Sequence, residues 1–192
     1  MSRLLLAAFD DHGIDVYQAF EPRIAADAVR LQRFGAGFGL DRMTWIKPSF
    51  GWMLYRSGHA TKHRQERIVR VTIRHDAFLE ALTAAVPTSF DPALYPTESD
   101  WNVAIRRCEA RYQWDPDRDL SLRPLPRRAL QLGIAGSLIR RYATEWIVRI
   151  ADVTELAHAV RDAVAAHAPL PEVPAEREYP VPPALARQLG MA

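Results

Sequence analysis

The residues best equipped for chemistry lie between Arg42 and Glu66. The stretch Arg42-Met-Thr-Trp-Ile-Lys-Pro-Ser-Phe-Gly-Trp-Met-Leu-Tyr-Arg-Ser-Gly58 gathers three cations (Arg42, Lys47, Arg56), three hydroxyls (Thr44, Ser49, Ser57) and four aromatic rings (Trp45, Phe50, Trp52, Tyr55). Pro48 biases Lys47 toward extended backbone and can open a helix. Ser49 then stands at a helix start, where free backbone N–H groups favour an anion. A helix N-terminus, one or two cations and a hydroxyl are the parts of a phosphate or pyrophosphate pocket, and the rings suit stacking on a base or a nicotinamide. The same residues also fit an ordinary capped core helix, because Phe50, Met53 and Leu54 fall at i, i+3 and i+4.

Three further clusters could contribute. In His63-Arg-Gln-Glu66, Glu66 can orient a ribose or act as a base, or pair with Arg64 and Arg67 on the surface. In Gln113-Trp-Asp-Pro-Asp-Arg118, polar side chains around a proline turn can line a cleft or simply hold the turn. Arg128 and Gln131 can share that cleft, although arginines on an edge strand also guard against aggregation. His59 and His63, four apart, would share a helix face, but no glutamate between them completes a metalloprotease pattern, and no metal site is assigned. No nucleophile elbow, phosphate-loop motif or kinase signature occurs.

The composition bounds these options. The 192 residues are 48% hydrophobic, enough for the core of one domain, residues 1–192. A formal net charge of +2 implies no polyanion partner on whole-chain balance. Only Lys47 and Lys62 are lysines, against 23 arginines. A compact ammonium that shifts its pKa readily is not interchangeable with a guanidinium, which singles out Lys47 within its aromatic stretch. Cys108 is the sole cysteine, so no internal disulfide is expected. The apolar run after Met1 is too short for a signal peptide, and no stretch approaches a membrane span. The expectation is a cytoplasmic protein with no membrane partner.

The elements that must position these groups follow from periodicity. Leu4–Phe9 and Ile14–Phe20 read as strands around an Asp-Asp-His-Gly turn, and Pro22 opens a helix that Gly35 stops. Met43–Ile46 is extended, a helix follows Pro48, and Gly58 ends it. Arg67–Ile73 alternates as a half-buried strand, and His75–Ala85 is a helix. Thr97-Glu-Ser-Asp100 has capping-box spacing ahead of another helix. Arg111–Trp114 and Arg127–Ile134 are strands, the first closed by Asp115-Pro116-Asp117. Leu138, Ile139, Tyr142, Trp146 and Ile150 predict a helix over Gly136–Ile150. Asp152 and Thr154 cap a last helix, Glu155–His167. Residues 169–192 form a proline-rich C-terminal strap, extended and packed on the surface, with Tyr179 and Val181 as anchors. The pattern lacks a strict βαβ rhythm, so the expected class is α+β, with small mixed or antiparallel sheets flanked by helices.

At Val16-Tyr-Gln-Ala-Phe20, Arg42–Phe50, Tyr55-Arg-Ser-Gly58, Gln65-Glu66, Gln113-Trp-Asp-Pro116 and Glu145-Trp-Ile147 the chain resembles the domain of unknown function 4291 family, over roughly 3–180. The strand Val16–Phe20, the helix Ile24–Leu31 and Phe34-Gly35 are also similar to the opening of ADP-ribosyltransferase-like domains. That second resemblance implies NAD bound between two small sheets, with Tyr17 and Gln18 at the site and a glutamate assisting attack on the nicotinamide ribose. Gln18 stands where that fold usually has Arg or His. The late-strand glutamate has no clear equivalent, and Gln113, Asp115 and Gln131 are the nearest candidates.

The functional expectation is a nucleotide-handling transferase. Tyr17, Gln18, Arg42, Thr44, Trp45, Lys47, Ser49, Tyr55 and Arg56 would hold NAD, and Glu66, Gln113 or Asp115 would serve catalysis. A nucleotide or small molecule is the expected ligand, with nucleic acid a possible acceptor. One alternative is a nucleic-acid-binding or nucleic-acid-modifying protein, using Arg64, Arg67, Arg70 and Arg74. Another is a non-catalytic interaction domain whose tail docks on a partner.

Overall fold

The computed structural model describes residues 2–191. Along the chain run β1 (Ser2–Arg3), β2 (Leu6–Ala7), β3 (Ile14–Phe20), α1 (Pro22–Leu31), β4 (Thr44–Ile46), α2 (Phe50–Ser57), β5 (Arg67–Ile73), α3 (His75–Thr83), β6 (Ala85–Pro87) and α4 (Glu98–Arg107). There follow β7 (Ala110–Arg118), β8 (Pro124–Ile134), α5 (Gly136–Thr144), β9 (Ile147–Asp152), α6 (Thr154–Ala165), β10 (Arg177–Glu178) and α7 (Pro183–Gln188). This is the α+β arrangement that the sequence pattern predicts.

Two sheets organise the molecule. The first is antiparallel, in the order β3-β5-β9. Helices cover both of its faces, so β3 is buried almost throughout instead of alternating. Ile14, Val16 and Phe20 face one way, toward α1, while Tyr17 faces the other, where Phe50 and Met53 of α2 and Val160 of α6 meet it. The second sheet has the order β1-β8-β7-β6, with β4 also paired to β8. Tyr112, Trp114, Leu130 and Leu132 turn inward to the core that both sheets share. Arg111, Gln113 and Asp115 alternate onto the opposite face.

The sheets are joined at one isolated antiparallel bridge, Tyr17 to Lys47. Tyr17 N donates to the Lys47 carbonyl at 2.8 Å, and Lys47 N donates to the Tyr17 carbonyl at 3.2 Å. Beyond this bridge β3 and β4 diverge. Gln18 ties them once more: its Nε2 donates to Thr44 Oγ1 at 2.6 Å and to the Trp45 carbonyl at 3.2 Å, and its Oε1 accepts from the Tyr142 hydroxyl at 2.7 Å.

Three expectations are corrected. The helix over Gly136–Ile150 ends at Thr144, and Ile147–Asp152 is instead β9, hydrogen-bonded to β5. The spacing of Ile147 and Ile150 is helical, but a register shift opposite Thr72 and Ile73 lets both pair with the open edge of β5. Asp115-Pro116-Asp117 does not close β7; the strand continues to Arg118, with a register shift between Pro116 and Arg118. The C-terminal strap is not purely extended. Its β10 pairs with β2, Tyr179 is buried as expected, and α7 sends Leu185 and Leu189 into the core. The tail is therefore packed against its own domain. Among the described residues no helix is long and apolar enough to cross a membrane.

Candidate functional site

Where the sheets diverge lies a cavity of about 630 Å³. Gln18, Ala19 and Phe20 of β3 form one wall, and Thr44, Trp45 and Lys47 of and just after β4 form the other. Met53 and Arg56 reach it from α2, and Arg42, Arg64 and Gln65 reach it from loops. Gly133 shapes the rim of the β4 wall. A Cβ there would lie 2.6 Å from Met43 Sδ and 3.0 Å from the Trp45 ring, so a larger residue would push Met43 and Trp45 away from β8.

Four cations line this cleft. Arg64 pairs loosely with Glu21, at 3.8 Å. Among the described residues, Arg42, Arg56 and Lys47 form no ion pair; Arg56 only meets Gln65 Oε1, at 3.4 Å. Lys47 is the unusual member. It is 6% exposed, and its Nζ has one hydrogen bond, to the Trp45 carbonyl at 3.2 Å, with the Trp52 ring 5.3 Å away. Burial, reinforced by the positive charge of Arg56 and opposed by Asp115, pulls its pKa down to about 7.

The expected site residues divide into those the cleft gathers and those it does not. Gln18, Arg42, Thr44, Trp45, Lys47 and Arg56 line it together. Tyr17 does not: its ring packs on Phe50, 5.1 Å between centroids, and its hydroxyl is buried without a hydrogen-bond partner. Burial also raises its pKa. Tyr55 lies outside, stacked under the Arg118 guanidinium at 4.0 Å. Glu66 sits just beyond Gln65, where its own backbone N–H and that of Arg64 hold its pKa down. Gln113 lines a second, smaller cavity of about 310 Å³ with Arg3, Ser89 and Arg128. Asp115 lines neither cavity; it accepts hydrogen bonds from the amides of Gln113 and Gln131, and its charge reaches Lys47.

Ser49 corrects the anion-site expectation. It does cap α2, its Oγ accepting from Trp52 N at 3.2 Å. Yet the hydroxyl donates to Asp117 Oδ1 at 3.0 Å, and Glu176 from the strap accepts from Phe50 N at 2.6 Å. The helix N-terminus is thus occupied by the protein's own carboxylates, which leaves no place for a phosphate. Glu176 and Asp117 carried no local signal, because they come from 126 and 68 residues further along the chain. Gln65 and Met53 were also missed as cleft residues, the second because its helical spacing marks it as core.

Two other readings lose support here. Arg64, Arg67, Arg70 and Arg74 each lie beside a carboxylate, Glu21, Asp152, Asp15 and Asp76 respectively, so they do not form a free basic track. His59 and His63 follow α2 in a loop instead of sharing a helix face, and His59 Nε2 meets the Leu120 carbonyl at 3.3 Å.

The fold and cleft define a class: two small sheets, bridged at one point and opening onto a basic pocket. The family model described as Domain of unknown function (DUF4291) matches residues 4–179, and the chain belongs to that family. No curated protein matches it.

Proposed function

We propose that the protein is a nucleotide-handling transferase whose cleft between the sheets takes a dinucleotide such as NAD, in the manner of ADP-ribosyltransferase-like enzymes. The observation that carries this reading is the pair of arginines, Arg42 and Arg56, which line one cavity of about 630 Å³ and form no ion pair among the described residues. That size falls within the roughly 300–1,000 Å³ of small-molecule sites. Guanidinium groups suit a pyrophosphate because they offer planar pairs of N–H donors. Trp45 supplies the stacking surface, and the buried amide of Gln18 fixes the β4 wall against β3. Asp115 lines neither cavity, and it reaches the cleft only through its charge, felt at Lys47.

Calorimetric titration with NAD tests this reading. Binding is expected in the wild type and weaker in Arg56→Ala, whereas heat-silent titration up to millimolar NAD rejects the dinucleotide reading. Released nicotinamide, followed by chromatography, tests the transfer step separately and should fall in Arg56→Ala.

A further inference from the structure

Lys47 is a poor fit to the role of a simple phosphate clamp. An ammonium carries three N–H donors. Here the group is almost wholly withdrawn from water with one acceptor, the Trp45 carbonyl, and no carboxylate paired to it among the described residues. A buried cation so poorly satisfied is costly, and a neutral amine with one N–H donated and its lone pair free suits the surroundings better. The like charge of Arg56 works in the same direction. Lys47 is also one of the residues that line the cleft. A neutral, desolvated lysine amine at the wall of an open pocket is a nucleophile.

We propose that Lys47 condenses with the carbonyl carbon of a small phosphorylated aldehyde, forming an imine, while Arg42 and Arg56 hold the phosphate. The nitrogen lone pair attacks the carbonyl carbon and the C=O π bond breaks, giving a carbinolamine. Loss of water then forms the C=N bond. Both amine hydrogens leave with the former carbonyl oxygen as that water, so the step consumes no oxidant or reductant. Asp115 is a positioning group that acts through its charge on Lys47, since its oxygens are engaged by Gln113 and Gln131. The inference goes beyond the dinucleotide reading and does not rest on it.

The lysine count makes the test unusually clean. Lys62 is the only other lysine, and it lies exposed on the surface with its Nζ donating to the Arg56 carbonyl at 2.9 Å. The full-length protein is incubated at pH 7 with glyceraldehyde 3-phosphate and cyanoborohydride, which reduces any imine to a stable secondary amine. Peptide mass spectrometry then compares the two lysines and the terminal amine. Trapping at Lys47 should exceed that at Lys62 by at least about tenfold. It should fall severalfold with unphosphorylated glyceraldehyde and in Arg56→Ala. Equal or faster labelling of Lys62 overturns the nucleophile assignment, and indifference to the phosphate overturns the substrate class. Lys47→Arg should abolish trapping at that position, but the deciding quantity is the wild-type ratio, which does not depend on that variant folding. Calorimetry with NAD is read separately, so a failed dinucleotide reading and a failed imine reading are distinguishable.

Discussion

The segment Thr44–Phe50 has two ends that are built from similar residues and left in opposite states. Toward its start, Lys47 lines a cavity with Arg42 and Arg56, and none of the three is paired to a carboxylate among the described residues. At its end, Ser49 and the first turn of α2 are closed over by Asp117, Glu176 and Arg127, each polar group bonded to another. Composition cannot separate the two ends, because both offer a hydroxyl and an aromatic ring beside a cation, Lys47, that lies between them. What separates them is satisfaction: the sealed end serves the fold, and the open end is available to a ligand. The comparison also reverses a natural assumption, since the helix terminus is the more familiar anion site of the two.

The largest expected effect lies at the sealed end. Asp117, whose side chain is 3% exposed, accepts from Ser49, Arg127 and Arg118 N. Asp117→Ala should cost about 3 kcal/mol in urea denaturation, because it orphans several buried donors. Loss of ligand binding without loss of stability would invert the comparison.

Lys47→Met should act in the opposite direction. As pH falls from 10.5 the unfolded chain takes up the lysine proton, whereas the folded chain resists until about 7. Lys47 therefore weighs against the fold increasingly over that window, and fully below it. The methionine variant should be the more stable of the two at pH 7, with the gap narrowing as pH rises to 10.5. Equal urea midpoints for the two proteins at pH 7 would show Lys47 to be well satisfied.

Arg56→Ala should weaken NAD binding about tenfold while moving the urea midpoint little, as expected of an unpaired surface cation. The smallest effect belongs to Glu176, whose pKa burial raises from 4.5 to about 7. Its contribution to stability is full below pH 4.5 and is lost as pH rises to about 7. Glu176→Gln should therefore gain about 1 kcal/mol over the wild type between pH 5 and pH 8, seen as a widening gap in melting temperature.

The parts of this fold that were legible are those set by local rules. Pro22 at the first position of α1, Ser49 and Gly58 at the ends of α2, Thr97 before α4 and the alternation of Arg67–Ile73 each appear where the sequence places them. The misplaced parts were set by distant partners. β9 exists because β5 has an edge to pair, and α7 forms where Leu185 and Leu189 find the core. The site divides the same way. Five cleft residues, Arg42, Thr44, Trp45, Lys47 and Arg56, were readable from type and spacing, and Gln18 came from the resemblance. The closing of the α2 terminus was not, because the decisive carboxylates arrive from β7 and the strap. Gln18 looks like a departure from a familiar pattern in the sequence, and in the fold it is the amide that ties β3 to β4 and to Tyr142.

The strap has a consequence for how the protein is made. Leu185 and Leu189 complete the core, Trp114 Nε1 donates to the Leu189 carbonyl at 2.9 Å, and Arg3 Nη1 donates to the Gly190 carbonyl at 3.2 Å. On the ribosome, β1 must wait beside an unfinished core until residues near 190 have been synthesised and released from the exit tunnel. Closure of this domain therefore waits for the strap, and a nascent chain stalled before Leu185 would leave the indole N–H of Trp114 without its carbonyl partner.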